Sequence, residues 1–195
     1  MRRVLDIIFS IFIFILVLPV LILVITLIKV DSRGSVFFKQ KRIGLGGCHF
    51  YIYKFRTMIV GAEKIGTGLD SYEDDPRVTK LGRFLRNSSI DELPQLFNIL
   101  IGDMSFIGPR PPTSYHPYVY DKYPQEQKKR FKVKPGVTGW AQVNGRNELN
   151  WDQKINLDLY YIKNRALLLD MKILYLTAVK VLKNENNYDL KGGNE

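Results

Sequence analysis

The chain has 195 residues, 46% of them hydrophobic, and carries 29 Lys+Arg against 19 Asp+Glu, a net charge of +10. That length suits one domain plus an appendage, and the positive balance selects anionic partners, a membrane leaflet or a nucleic acid. The single cysteine, Cys48, excludes an intramolecular disulfide and a Cys-rich metal site, His49 and His116 lack paired zinc-ligand spacing, and neither a P-loop nor G-x-G-x-x-G occurs.

An uncharged run opens the chain. Residues 7–28 are 22 positions without a charge, interrupted only by Ser10, Pro19 and Thr26, and about 20 apolar residues suffice to cross a bilayer. The run exceeds the roughly 7–15 residues of a signal-peptide core and no small-x-small pattern follows it, so residues 1–33 read as a retained anchor. Arg2 and Arg3 precede the run, and Lys29 and Arg33 follow it, so the positive-inside rule favours neither end. Pro19 removes the hydrogen bond to the Ile15 carbonyl. Two topologies stay open: a helix broken near Pro19 that enters and leaves by one face, and a kinked helix that spans.

Residues 36–40 and 50–58 read as strands of a β-hairpin, with a turn at 44–47. Side chains alternate along a strand, so Lys54 and Arg56 share a face, either a solvated edge or an anion-binding floor. Residues 61–80 are a polar loop, and a helix is predicted over 80–87. Ser88-Ser89-Ile90-Asp91-Glu92-Leu93-Pro94-Gln95 follows. Proline fits only the first turn of a helix, so the helix through Leu96, Phe97, Leu100 and Ile101 is expected to start near Asp91. Ser89-x-x-Glu92 matches a capping box, and acids are favoured at helix N-termini. Read alone, the octapeptide favours capping; beside Arg83 and Arg86 it also admits a site for a metal ion and a phosphate.

Gly108-Pro109-Arg110-Pro111-Pro112 is a stiff connector. A guanidinium locked in such a segment loses little entropy on gripping a phosphate, although a plain Pro-rich turn would look the same. Residues 121–134 are strongly basic, 135–147 read as a loop that includes Asn144-Gly145-Arg146-Asn147, and a helix is predicted over 151–162. Along 167–182, Leu168, Met171, Leu174, Tyr175, Ala178 and Leu182 recur at helical spacing; that stripe suits a membrane interface or a protein core equally. Asp158 and Asp170 read as isolated acids, and 184–195 as a disordered tail.

Five blocks occur in order: Lys54-Phe55-Arg56-Thr57-Met58, Asp91-Glu92-Leu93-Pro94-Gln95-Leu96-Phe97-Asn98, Gly102-Asp103-Met104-Ser105, Gly108-Pro109-Arg110-Pro111, and residues 135–146 from Pro135 to Arg146. With them the chain resembles, from the membrane segment to about residue 183, the small bacterial monotopic phosphoglycosyl transferases, or initiating sugar transferases. The resemblance implies an α+β, helix-dominated fold. In it a re-entrant or spanning membrane helix (1–33) precedes a cytoplasmic catalytic domain (34–183) with a β-hairpin and interfacial amphipathic helices, held at the inner face of the bacterial cytoplasmic membrane.

The resemblance also implies transfer of a sugar 1-phosphate from a UDP-sugar to undecaprenyl phosphate, with release of UMP and a covalent aspartyl-phosphosugar intermediate. This is the first membrane step in building a polysaccharide or a glycoprotein glycan. It places the nucleophile at Asp91 with Glu92 assisting, both at a Mg²⁺ site. Lys54, Arg110 and the late acid Asp170 match family motif positions, and Arg56, Arg86 and Arg146 complete the expected phosphate and substrate contacts. The partners implied are the UDP-sugar, undecaprenyl phosphate and membrane lipid, with no nucleic acid and a homodimer left open. One departure is Leu18-Pro19, where the small members carry Ser-Pro. A non-catalytic basic anchor would account for the lysines of 122–134 but not for the five blocks; a metal-dependent phosphohydrolase with a similar dyad is the other alternative.

Overall fold

A computed structural model describes residues 2–66, 68, 72, 74–145 and 148–183; the expected tail and Arg146 lie outside the described residues. The first helix, α1 (Arg2–Asp31), has 30 residues and is about 45 Å long at 1.5 Å per residue. Pro19 lies inside it and helix continues on both sides, so the expected break is not an interruption. A proline deletes one hydrogen bond, while Val17 and Leu21, on either side, both pack on the domain.

Asp6, Ser10, Leu21, Val24 and Ile28 form a buried stripe on α1. Leu21, Val24 and Ile28 share a core with Val36, Phe55 and Leu85 of the following domain. Each such aliphatic burial contributes about 1.5–3 kcal/mol, so α1 shares a core with the residues that follow it. Polar contacts tie both ends of the helix down. At the start, Arg2 pairs with Asp170 at 2.8 Å, Arg3 donates to the carbonyls of Ile99 and Leu100, and Asp6 accepts from Ser105 Oγ at 2.8 Å and Phe106 N at 3.2 Å. In the middle, Phe14 meets Phe97 edge-on. At the far end, Arg56 Nη2 donates to the carbonyl and the hydroxyl of Ser32, both at 2.8 Å.

The hairpin forms as expected, from β1 (Phe37–Ile43) and β2 (His49–Phe55), antiparallel from Phe37 opposite Phe55 to Ile43 opposite His49. In the loop after it, buried Arg77 pairs with Asp75 at 2.6 Å and donates to the carbonyls of Ala62, Ile65 and Gly68. Then come α2 (Lys80–Asn87), α3 (Gln95–Ile101), β3 (Ser105–Ile107), α4 (Gln125–Lys128), β4 (Gly136–Thr138), α5 (Trp140–Val143), α6 (Trp151–Lys163) and α7 (Leu167–Lys183). β3 and β4 pair in parallel, Ser105 opposite Gly136 and Ile107 opposite Thr138. The region 135–147, read as loop, thus holds a strand and a helical turn; three-residue elements carry no periodicity to read.

α7 settles one open alternative. Its core-facing residues are Asp170 and Ile173, and the predicted stripe faces outward, with Leu168 82% and Leu182 86% exposed and Met171, Leu174 and Tyr175 also on the surface. The stripe is therefore not a core-packing face. It adds to the exposed apolar face of α1, where Phe12, Ile15 and Leu16 are all more than half exposed. Exposed apolar faces on two helices are candidate contact surfaces.

Candidate active site

α2 ends at Asn87, and Ser88 turns its hydroxyl back to the Phe84 carbonyl at 2.8 Å. Ser89 adopts a left-handed conformation (φ 56°), reversing the chain into a single 3-10 turn, Ile90–Glu92. Asp91 and Glu92 sit on that turn, and α3 begins only at Gln95, after Pro94. The helix thus starts one turn later than Pro94 suggested. The capping reading also falls: Ser89 makes no side-chain cap bond, and the Glu92 carboxylate binds cations. Lys54 Nζ lies 2.8 Å from Glu92 Oε1, and Arg110 Nη2 2.7 Å from the same oxygen.

Asp91 is placed differently. It is 8% exposed, has Lys54 Nζ 3.8 Å from its Oδ2, and takes no hydrogen bond among the described residues. Burial pushes its pKa up, Lys54 opposes this, Glu92 adds to it, and Arg86 and Arg110 oppose it at longer range. The result is a more basic carboxylate than an exposed aspartate, held among cations that keep it ionised, with its oxygens uncommitted. Glu92, by contrast, is pinned.

Three scaffold contacts set this geometry. Asn98 of α3 accepts from Tyr53 N at 3.0 Å and donates to the Tyr51 carbonyl at 2.7 Å, fixing β2, and so Lys54, against the helix that follows the dyad. A Cβ on Gly82 would lie 1.9 Å from the Thr57 carbonyl oxygen, so only glycine lets α2 rest on this backbone. One turn further on, Arg86 Nε donates to Thr57 Oγ1 at 2.8 Å.

The third contact is the seat of Arg110. Four successive carbonyls of its segment each accept from a different donor. Gly136 N reaches Pro109, Arg130 Nη2 reaches Arg110, Arg42 Nη1 reaches Pro111, and Ile43 N reaches Pro112, all at 3.0–3.1 Å. Prolines supply no N–H for a local turn, so neighbouring elements do the fastening. Arg130 is 2% exposed and its Nη2 also meets Asp158 Oδ2 at 2.6 Å. Complete burial pushes the Asp158 pKa up to about 6 against the pull of Arg130. Burial likewise lowers Arg42 to about 10, with Arg110 adding to the effect.

The structure therefore brings together Asp91, Glu92, Lys54 and Arg110, with Arg86 close enough to act on Asp91. It does not bring in Arg56, which lies beyond the end of β2 and tethers the end of α1, donating to Ser32 and Arg33. Nor does it bring in Asp170, which accepts from Tyr161 Oη at 2.8 Å and pairs with Arg2. Both were expected at the substrate, and both hold α1 in place instead. Arg130, Asp158, Arg42 and Asn98 were not foreseen. Arg130 was one of several cations in a basic run and Asp158 an isolated acid, and nothing in their 28-residue separation signals a pair.

Among the described residues no cluster of three or more Asp, Glu, His or Cys could hold a metal by itself. Mg²⁺ commonly takes one or two carboxylates and completes its shell with water and substrate phosphate oxygens. Adjacent Asp91 and Glu92, the former without a hydrogen bond among the described residues, fit that pattern. Beside the dyad is a cleft of about 280 Å³, walled by Glu92 and Arg110, by apolar Ile13, Leu96 and Phe106, and by Lys180 of α7, among others.

An acidic dyad beside Lys54 and Arg110, on a domain packed against a long apolar helix, sets two carboxylates among cations that can receive a phosphate. The chain belongs to the bacterial sugar transferase family, whose model matches residues 1–184. It is 44% identical over 186 residues to the uncharacterized sugar transferase EpsL of Bacillus subtilis, covering 95% of this chain and 89% of that protein. It is 45% identical over 175 residues to the UDP-glucose:undecaprenyl-phosphate glucose-1-phosphate transferase of Xanthomonas campestris, covering 87% and 36%. It is 36% identical over 202 residues to the undecaprenyl-phosphate galactose phosphotransferase of Salmonella typhimurium, covering 96% and 42%. The chain thus spans less than half the length of the latter two.

Proposed function

We propose that this protein transfers a sugar 1-phosphate from a UDP-sugar to undecaprenyl phosphate in two steps at Asp91. The observation that carries the reading is the contrast within the dyad: Glu92 is fixed by Lys54 and Arg110, whereas Asp91 has no hydrogen-bond partner among the described residues and sits among cations. In the first step a carboxylate oxygen of Asp91 attacks the phosphorus that bears the sugar. The bond from that phosphorus to the bridging oxygen breaks, and UMP departs with the electron pair. In the second step an oxygen of the lipid phosphate attacks the same phosphorus, and the Asp91 carboxylate leaves. A carboxylate nucleophile splits one difficult displacement into two, and Lys54, Arg86 and Arg110 supply the positive field that phosphoryl transfer requires. Asp91 and Glu92 would hold Mg²⁺, which would neutralise diphosphate charge. The product begins assembly of a bacterial glycoconjugate.

The experiment is a panel of UDP-sugars incubated with the purified chain, Mg²⁺ and undecaprenyl phosphate. UMP release with at least one donor is expected, and glucose and galactose donors head the panel because the relatives' names include them. Absence of UMP with every donor overturns the proposal. Sugar phosphate or UMP released at full rate without lipid acceptor assigns a hydrolase.

The same reading places the domain on one face of the cytoplasmic membrane. Its support is that both ends of α1 are bonded to one domain, which suits a helix that lies along one face more than one that crosses. Cys48 is exposed on the domain and Val4 is exposed near the start of α1. In oriented membranes, a membrane-impermeant maleimide should label Cys48, and the cysteine of a Val4→Cys, Cys48→Ser variant, from the same side. Labelling from opposite sides assigns a spanning helix.

A further inference from the structure

We propose that the 280 Å³ cleft is the entry of the isoprenoid phosphate acceptor, and that Lys180 is its acceptor-specific phosphate contact; the proposal rests on the function proposed above. The walls argue for this occupant. Ile13, Leu93, Leu96, Phe106, Val143 and Val181 make most of the cleft's surface apolar, with Ser89, Thr138, Gln142 and Thr177 also reaching it; an isoprenoid chain matches the apolar share, and the polar groups leave room for its phosphate end. Its rim is formed partly by α1, through Ile13, and by α7, through Lys180 and Val181. These helices carry the exposed apolar faces, with Phe12 and Leu16 on one and Tyr175 and Leu182 on the other. A lipid can pass from that surface into the cleft without its chain crossing water.

Charge fixes the orientation. Glu92 and Arg110 line the cleft, and Lys54 and Arg86 do not. Lys180 is half-buried and makes no hydrogen bond or ion pair among the described residues. A half-buried ammonium without an anion is costly, and a lipid phosphate would supply one. The Lys180 ammonium and the Arg110 guanidinium thus form two positive contacts on the cleft. A phosphate held between them, with its isoprenoid tail toward α1 and α7, would be poised to attack a phosphosugar carried by Asp91.

The test separates the two half-reactions. Full-length protein in lipid nanodiscs is mixed with a UDP-sugar and Mg²⁺ without acceptor, and the single-turnover burst of UMP is measured. Undecaprenyl phosphate is then titrated. In Lys180→Ala the KM for undecaprenyl phosphate should rise roughly ten- to hundredfold, the loss of one charge-assisted contact, while the UMP burst keeps its rate; Lys180→Arg should recover most of the affinity. Val181→Trp, which narrows the cleft, should raise the same KM. An unchanged acceptor KM in both Lys180→Ala and Val181→Trp overturns the proposal. A raised KM for the UDP-sugar in its place overturns it too, assigning the cleft to the donor. A wild-type protein that gives no burst with any UDP-sugar instead removes the functional reading on which this rests.

Discussion

Asp91→Asn should lower UMP release by about a thousandfold or more, with the protein still folded. The asparagine amide has nearly the shape of the carboxylate, and among the described residues the native carboxylate makes no hydrogen bond that the amide would break. What goes is the nucleophile. Intact-mass measurement after mixing with a UDP-sugar should show one phosphosugar added to the wild type and none to the variant. Near-native turnover in Asp91→Asn would remove the covalent route. Because burial raises the Asp91 pKa, the wild-type burst should weaken on acidification at a pH above the ordinary carboxylate range, as the nucleophile takes up a proton.

Arg130→Met should destabilise the fold by about 3–5 kcal/mol, the cost of leaving a buried carboxylate without its partner. For a domain of this size that lowers Tm by roughly 10 °C. The variant also loses the donor to the Arg110 carbonyl, so turnover measured well below its Tm should fall as well. Converting Asp158 to leucine in the same chain should restore stability, since an apolar pair replaces an unpaired charge, but not the anchoring of Arg110. The Asp158 pKa, about 6, lies above its ordinary value. The native state therefore binds this proton more tightly than the unfolded chain does. That contribution to stability is complete at low pH and is lost as pH rises through 6. Without Arg130 the carboxyl is harder still to ionise, so the deficit of Arg130→Met should be larger at pH 8 than at pH 5.5. Equal deficits at both values would show that Asp158 is not the group left stranded.

Local chemistry was legible in the sequence, and pairings across the chain were not. The hairpin showed through its alternation and turn glycines, α7 through its apolar spacing, and α2 and α6 as predicted helices. Lys54, Asp91, Glu92 and Arg110 showed through motif order. Arg56 reads beside Lys54; it follows the last residue of β2, Phe55, and turns its guanidinium to Ser32 and Arg33 at the end of α1. Asp170 misled because an acid near a helix start looks the same whether it meets a substrate or Arg2. The β3–β4 pair escaped because three residues carry no period. The outward stripe of α7 was seen, but its direction depends on which face Ile173 and Asp170 bury, which spacing alone leaves undetermined.

The lengthwise seat of α1 bears on how such proteins can be recombined. A tether that only attaches an enzyme to a membrane can be exchanged for another of equal hydropathy. Here the register of the first helix is written by its neighbours: Arg3, Asp6, Phe14, Leu21, Val24 and Ile28 each answer a particular group on the domain. A chimera with a foreign helix of equal hydropathy would present the wrong side chains to Ile99, Ser105, Phe97 and Leu85. Grafts between relatives should therefore keep these six positions, rather than be cut at the end of the apolar run where the sequence invites the join.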